Sequence, residues 1–402
     1  MAKFDVNAFR RHFPALRAEV VYLDSAATAL KPDVVIEATD RFYRHEGGNV
    51  HRSQYQGAIS ITEHYEQARV KVASWINAPA AQSIVWTRGT TESINLVAQS
   101  YARPRLLPND EILVSEAEHH ANLIPWLMVA QQTGAKVIKW PLGDDLLPDR
   151  RALVRLLNDR TRIVAISQMS NVTGGCPDLA DIVQVIRQGS TAVIMLDGAQ
   201  GVVHRPPDLQ RLGIDFYAFS GHKLYGPTGI GVLYGTPRLL SMMPPWQGGG
   251  KMLTDASFSG FTPQDIPLRF EAGTPNIAGA IGLGAALDWL GQHDMAAAEH
   301  HSAQLAALAE ARLAHIAGFR SFRCADSPLL SFEFCGIHHQ DIATILAKEG
   351  IALRAGQHCA QPLMAALGVS GTLRASFAPY NTVEEVDRLV LAVEKALFLL
   401  RD

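Results

Sequence analysis

The sequence lacks the features that mark several common protein classes. Four cysteines, Cys176, Cys324, Cys335 and Cys359, are spread over 402 residues, and none belongs to a C-x-x-C pair. That spacing argues against a disulfide framework, a zinc ribbon or a dithiol motif. The His-His pairs at 119–120, 300–301 and 338–339 lack metal-ligand spacing, so no metal is expected. No run of eighteen apolar residues occurs; the nearest stretch, 277–290, is glycine-rich and contains Asp288. The opening MAKFDVNAFRRHF has no uninterrupted apolar core of the kind a secretion signal needs. A cytoplasmic protein with no membrane segment is expected. An excess of one charge is also missing: a net charge of −3 gives no broad basic surface, so no nucleic-acid partner is expected. Neither G-x-G-x-x-G nor a Walker A pattern is found, which weakens dinucleotide and ATP readings.

What is present describes a folded enzyme: 48% hydrophobic and 19% charged residues allow a substantial core. Apolar runs at 84–86, 111–115, 136–139, 162–167 and 192–196 alternate with helical patterns such as 91–101 and 121–133. That alternation predicts an α/β fold, a mostly parallel sheet covered on both faces. Helices are also predicted over 4–18, 32–44 and 59–75, with a strand at 20–24 and a loop at 263–273. Beyond residue 291 the character changes to an alanine-rich helix (294–316), a strand (329–334) and a closing helix (382–399). Thr382 and Glu385 stand at capping-box spacing at the start of that last helix. The expected division is a large domain, 17–291, and a small one made of 1–16 and 292–402.

The stretch around which the rest is organised is DFYAFSGHKLYGPTGIG, residues 215–231. It places Lys223 in a glycine-rich turn between two buried apolar runs. Desolvation lowers a lysine pKa, and a neutral amine is what a Schiff base with an aldehyde requires. A lysine snorkelling out of a turn is the alternative. Residues 84–93, IVWTRGTTES, read as strand, turn and helix start, so Thr90 and Thr91 could cradle a phosphate or simply cap the helix. Asp197 ends the apolar run 192–196, where α/β sheets bind ligands, and could keep a pyridine nitrogen protonated; it could equally be an N-cap. In Glu118-His119-His120, one imidazole could stack on a planar cofactor and move protons, or both could be surface residues. Cys359 lies in the loop RAGQHCAQP, 354–362, where Arg354 and His358 would favour its nucleophilic thiolate. Arg374 could clamp a carboxylate bidentately, or form a surface ion pair. The loop 47–53 adds two potential cations, His51 and Arg52. The set is one that pyridoxal phosphate chemistry on an amino acid uses in full.

At this point the chain resembles the cysteine desulfurases, pyridoxal-phosphate enzymes of fold type I and aminotransferase class V. The resemblance rests on YLDSAAT (22–28), GNVHRS (48–53), RGTTESIN (88–95), EHHAN (118–122), QMSNVTG (168–174), DGAQG (197–201), SGHKLYGPTGIG (220–231), EAGTPN (271–276), RAGQHCAQP (354–362) and RASFAPYN (374–381). It covers essentially the whole length. The short cysteine loop resembles group II, the Suf- and Csd-type enzymes. Gln357, where many Suf-type relatives carry a second histidine, and QMSNVTGGCPD are more like the Csd-type, cysteine sulfinate desulfinase branch.

The resemblance implies a large domain with a mostly parallel mixed sheet and a smaller α+β C-terminal domain. It implies pyridoxal 5'-phosphate held on Lys223, with Asp197 on the ring nitrogen and Gln200 on the phenolate oxygen. Thr90, Thr91, Ser220 and His222 would bind the phosphate, and His120 would stack on the ring. Asn171 and Arg374 would bind the substrate carboxylate, with Ala27 and Arg354 lining the pocket. Cys359 would take the sulfur of L-cysteine as a persulfide, releasing L-alanine, and pass it to a small acceptor protein of the SufE/CsdE type. Selenocysteine and cysteine sulfinate are further implied substrates. The implied assembly is a homodimer in which Thr274, His51 and Arg52 face the partner's cofactor. Rival readings are a kynureninase-like lyase or an aminotransferase, neither of which needs Cys359, and a catalytically silent sulfur-relay scaffold.

Overall fold

Two sheets of different character organise the chain, whose residues 4–51 and 53–401 the computed structural model describes. The first strand, β1 (Val21–Tyr22), pairs in parallel with residues 351–352, so the chain begins beside its own C-terminal third. The larger sheet comprises β2 (Ile84–Thr87), β3 (Glu111–Ser115), β4 (Lys136–Trp140), β5 (Thr161–Ser167), β6 (Val193–Asp197), β7 (Phe216–Ser220) and β8 (Gly231–Gly235). Their order is β2-β8-β7-β6-β5-β3-β4. Strand β8 is antiparallel to both its neighbours, and all other pairings are parallel.

The continuous apolar runs reflect burial on both faces. Ile194 and Leu196 of β6 enter one core, and Val193 and Met195 enter the other. Strands β2, β3, β5, β6 and β7 all end at the same edge, which brings Thr87, Ser115, Ser167, Asp197 and Ser220 together there. A buried ion pair fixes one flank of this edge. Arg69, on helix Gln56–Trp75, reaches Glu271 Oε1 at 2.6 Å and Oε2 at 3.0 Å, and its Nη1 also donates to the Ile84 carbonyl. Glu271 Oε1 in turn accepts the Trp86 N–H at 2.9 Å.

Between the two sheets in sequence, β9 (Leu253–Ser257) and β10 (Gly260–Pro263) form an exposed antiparallel hairpin. The smaller sheet contains β11 (Phe319–Ser321), β12 (Leu329–Phe334), β14 (Arg354–Gly356) and β15 (Thr372–Ser376), antiparallel in the order β11-β12-β15-β14. The remaining strand, β13 (Ile351–Ala352), is the partner of β1. Helices Met295–Leu313, His339–Lys348 and Val383–Arg401 bury their apolar faces in this part of the molecule. The predicted capping box forms in both directions: Thr382 N–H donates to Glu385 Oε2 at 3.2 Å, and Glu385 N–H to the Thr382 hydroxyl at 3.3 Å.

Some boundaries differ from the sequence reading. The first helix is only Val6–Arg10, and 32–44 becomes Asp33–Arg41 followed by a wider π turn, Phe42–Glu46. The hairpin had no alternating apolar signal, because its side chains are mostly exposed on both strands.

Candidate active site

A cavity of about 220 Å³ opens at the carboxyl edge of the larger sheet, between it and the β14–β15 pair. Lys223 lines it from the one-turn 3₁₀ helix Gly221–Lys223 that follows β7. Enclosure lowers its ammonium pKa to about 8; the nearby Arg374 guanidinium adds to the fall, and Asp197 opposes it. Asp197 is 5% exposed and accepts the Ala199 N–H at 2.9 Å. Burial raises its carboxyl pKa, against that hydrogen bond and the Lys223 charge. Gln200 lies beside it, held by a 2.6 Å donation from its amide to the Ala26 carbonyl.

The turn between β2 and helix Thr90–Leu96 meets the end of β7. The Ser220 hydroxyl accepts the Thr90 N–H at 2.9 Å and lies 2.8 Å from the Thr90 hydroxyl. The first-turn amides of Thr91 and Glu92 have no partner within the helix. Close approach of β8 requires glycine: a Cβ on Gly231 would stand 2.3 Å from Gly89 Cα. Hydroxyls, first-turn amides and the His222 imidazole thus converge on one end of the cavity, as a phosphate needs.

The other end belongs to Arg374 of β15. It is 2% exposed, its Nη1 donates to the Asn171 carbonyl at 2.8 Å, and its Nη2 lies 3.4 Å from Asp24. Its Nε is buried without a partner, a donor that a substrate carboxylate would satisfy. Asn171 is fixed by donating to the His358 carbonyl at 2.8 Å. Ala27 and Arg354 also line the cavity.

Cys359 is exposed at the cavity rim. It and His358 have φ of +55° and +52°, two successive non-glycine residues in the left-handed region. Such strain persists only where neighbours hold it. Here the Cys359 carbonyl accepts the His120 N–H at 2.7 Å. The His358 ring is tied to β15: its Nε2 lies 2.9 Å from the Thr372 hydroxyl, and burial lowers its pKa to about 3. It is therefore a neutral ring, not the neighbouring cation that the sequence suggested.

The histidine pair requires a correction. His119 lines the cavity, whereas His120, the residue assigned to stacking, does not. His120 accepts the Gln361 N–H at 3.3 Å and braces the Cys359 loop instead. His119 Nδ1 accepts the Ala121 N–H at 3.0 Å, which leaves its proton on Nε2. Burial, with Lys223 next in effect, lowers its pKa to about 4. Sequence offered two adjacent imidazoles, and the turn His120–Asn122 decides which faces inward. Reading the motif likewise gave no signal for Ser167 and Met169, which also line the cavity.

Besides His120, two more predicted residues lie outside this cavity. Thr274 is exposed, and His51 is exposed and 2.8 Å from Glu66. Arg52 lies outside the described residues.

A sheet edge bearing an enclosed lysine, a buried carboxylate, a hydroxyl-lined helix start and an arginine clamp defines a pyridoxal-phosphate enzyme of fold type I. The comparisons agree. The family model for aminotransferase class V matches residues 21–389. Cysteine desulfurase CsdA of Escherichia coli is 64% identical over 402 residues, covering 100% of both chains. A probable cysteine desulfurase of Vibrio cholerae is 50% identical, covering 98% of this chain and 99% of the relative. The crystal structure of E. coli CsdA in its S-sulfonic acid form superposes with a TM-score of 0.94, covering 99% of this chain and 100% of that one. The chain belongs to the aminotransferase class V family, and its cofactor is pyridoxal 5'-phosphate.

Proposed function

We propose that the protein is a cysteine desulfurase of the Csd type, which converts L-cysteine to L-alanine and holds the sulfur as a persulfide on Cys359. The observation that carries this reading is the exposed Cys359 on a strained turn at the rim of a cavity lined by Lys223. Full-length identity of 64% to a cysteine desulfurase supports it.

Bound pyridoxal phosphate supplies a protonated ring that takes up the electron pair left when the substrate Cα loses its proton. Thr90, Thr91, Ser220 and His222 would hold its phosphate, and Asp197 would keep the ring nitrogen protonated. Gln200 would reach the phenolic oxygen, and His119, rather than His120, would stack on the ring. Arg374, through its free Nε, and Asn171 would bind the substrate carboxylate, with Ala27 and Arg354 beside it. Lys223, released as the amino acid binds, would take the Cα proton on Nζ, since its enclosure favours the neutral amine.

Cys359 thiolate would then attack the substrate sulfur. The C–S bond breaks with its electron pair going to carbon, and that carbon takes a proton. The net change is cysteine plus the Cys359 thiol giving alanine plus the Cys359 persulfide. Selenocysteine and cysteine sulfinate, with better leaving groups, would react without the thiol. The persulfide would pass to a small acceptor protein of the SufE/CsdE type. We place the enzyme in the cytoplasm as a homodimer, with His51 and Thr274 serving the partner's site. We also keep the division into 17–291 and 1–16 with 292–402; the β1–β13 pairing then crosses it.

Two variants test this. Cys359→Ala should release alanine from cysteine at least about 100-fold more slowly, yet retain activity on selenocysteine. Lys223→Ala should lose both activities and the visible absorbance of the lysine-bound cofactor. Equal loss on both substrates in Cys359→Ala would exclude the thiol as sulfur acceptor. A wild-type protein that cannot be loaded with the cofactor would favour a silent scaffold.

A further inference from the structure

The carbonyl oxygen of His222, one peptide bond before Lys223, collects three donors. They are the Ala29 N–H at 3.0 Å, the Thr28 hydroxyl at 3.3 Å and Lys31 Nζ at 2.9 Å. Lys31 also donates to the Ala29 carbonyl and, at 3.4 Å, to the Thr28 hydroxyl. All of these acceptors are neutral oxygens. Burial without a counter-charge pulls the Lys31 ammonium down to about 8. An apolar side chain would avoid that desolvation.

We propose that Lys31 is a positioning residue for Lys223, acting through the His222 carbonyl. The turn gives that carbonyl no helical partner: Tyr225, three residues on, has φ of +59°, and Gly226 N–H, four residues on, donates to Gly221 instead. The segment 24–31 supplies the missing partners. Fixing the oxygen fixes the 222–223 peptide plane, and with it the direction in which the Lys223 side chain leaves the backbone. The same segment is anchored at its other end: Ser376 Oγ accepts the Ala26 N–H at 2.9 Å, and the Ser25 and Tyr380 hydroxyls are 2.6 Å apart. Lys31 is thus the inner clasp of a strap running from the smaller sheet, past the cavity, to the reactive lysine. The role rests on the reading of Lys223 as the cofactor-binding amine.

The test uses cofactor-free full-length protein titrated with pyridoxal phosphate and, separately, with pyridoxal. Binding is read from the visible absorbance of the covalent adduct, and its site from borohydride trapping and peptide mass. Lys31→Met should weaken both aldehydes by about tenfold, the scale of one hydrogen bond from a charged group. Lys31→Gln, which keeps an N–H donor, should lose only about threefold, and Thr28→Val about two- to threefold. These two milder variants carry the test if Lys31→Met does not fold. Unchanged binding of both aldehydes in all three variants would overturn the proposal. A loss confined to pyridoxal phosphate would also overturn it, since Lys31 would then act by its charge on the phosphate. Trapping at a residue other than Lys223 in the wild type would overturn the underlying reading as well.

Discussion

Lys223 is held where its charged form is disfavoured, and that has a measurable consequence for the cofactor-free protein. Its pKa falls from an ordinary 10.5 to about 8, chiefly through enclosure. Between those values the unfolded chain retains a proton that the folded chain has released, so stability rises with pH across that window. Below about pH 8 both states are protonated, and the cost of burying the charge is fully present. Cofactor-free Lys223→Met should therefore be more stable than wild type at pH 7, by about 1–3 kcal/mol. The gain should shrink towards pH 10; urea unfolding at both values measures it, and an equal gain at both would contradict the assignment. The histidine pair gives a second residue-scale prediction. His119→Ala should lower turnover by about 100-fold or more, as loss of a proton-moving group does, whereas His120→Ala should cost under about tenfold. His120 holds the Cys359 loop chiefly through its 2.7 Å backbone N–H, which any side chain preserves; alanine would lose only the longer 3.3 Å contact from Gln361 N–H to its ring. Motif spacing brought the reader to within one residue here. The choice between neighbours depends on a local turn that two identical side chains do not encode.

At the scale of elements, legibility followed the range of the interaction. The strand at Glu111–Ser115 and the reciprocal cap between Thr382 and Glu385 were both visible, because period and capping are local in sequence. The pairing of β1 with β13 was not, and nor was the reversed direction of β8, since neither leaves a periodic trace. The Arg69–Glu271 pair was equally hidden: its partners are 202 positions apart, and each looks like an ordinary surface charge. Both side chains are 2% exposed, so removing one leaves the other charge buried. Arg69→Met should destabilise the protein by about 3–5 kcal/mol. Because Glu271 accepts from β2 and leads into the loop of Thr274, cofactor retention should fall with stability. Thermal unfolding with and without cofactor measures both; a shift within 1–2 °C of wild type would show that the pair contributes little.

For the whole molecule, exposed residues bear on assembly more directly than buried ones. Phe258 is fully exposed and Phe261 is 55% exposed on the β9–β10 hairpin. A two-stranded hairpin carrying bare aromatics is marginal alone and favours a covering surface. Thr274 and His51 point to the same conclusion, since both belong to the motifs of the site yet stand outside the cavity of their own chain. In the proposed homodimer they would complete the neighbouring site, and mixed dimers test that arrangement. One parent carries Lys223→Ala; the other carries His51→Ala with Thr274→Ala and an intact Lys223. Each is expected to be impaired alone. After subunit exchange at equal amounts, half the dimers are mixed, and each mixed dimer holds one site with every group intact. Activity should recover to about a quarter of the wild-type level. If these residues served their own chain, no mixed dimer would contain a complete site, and exchange would restore nothing.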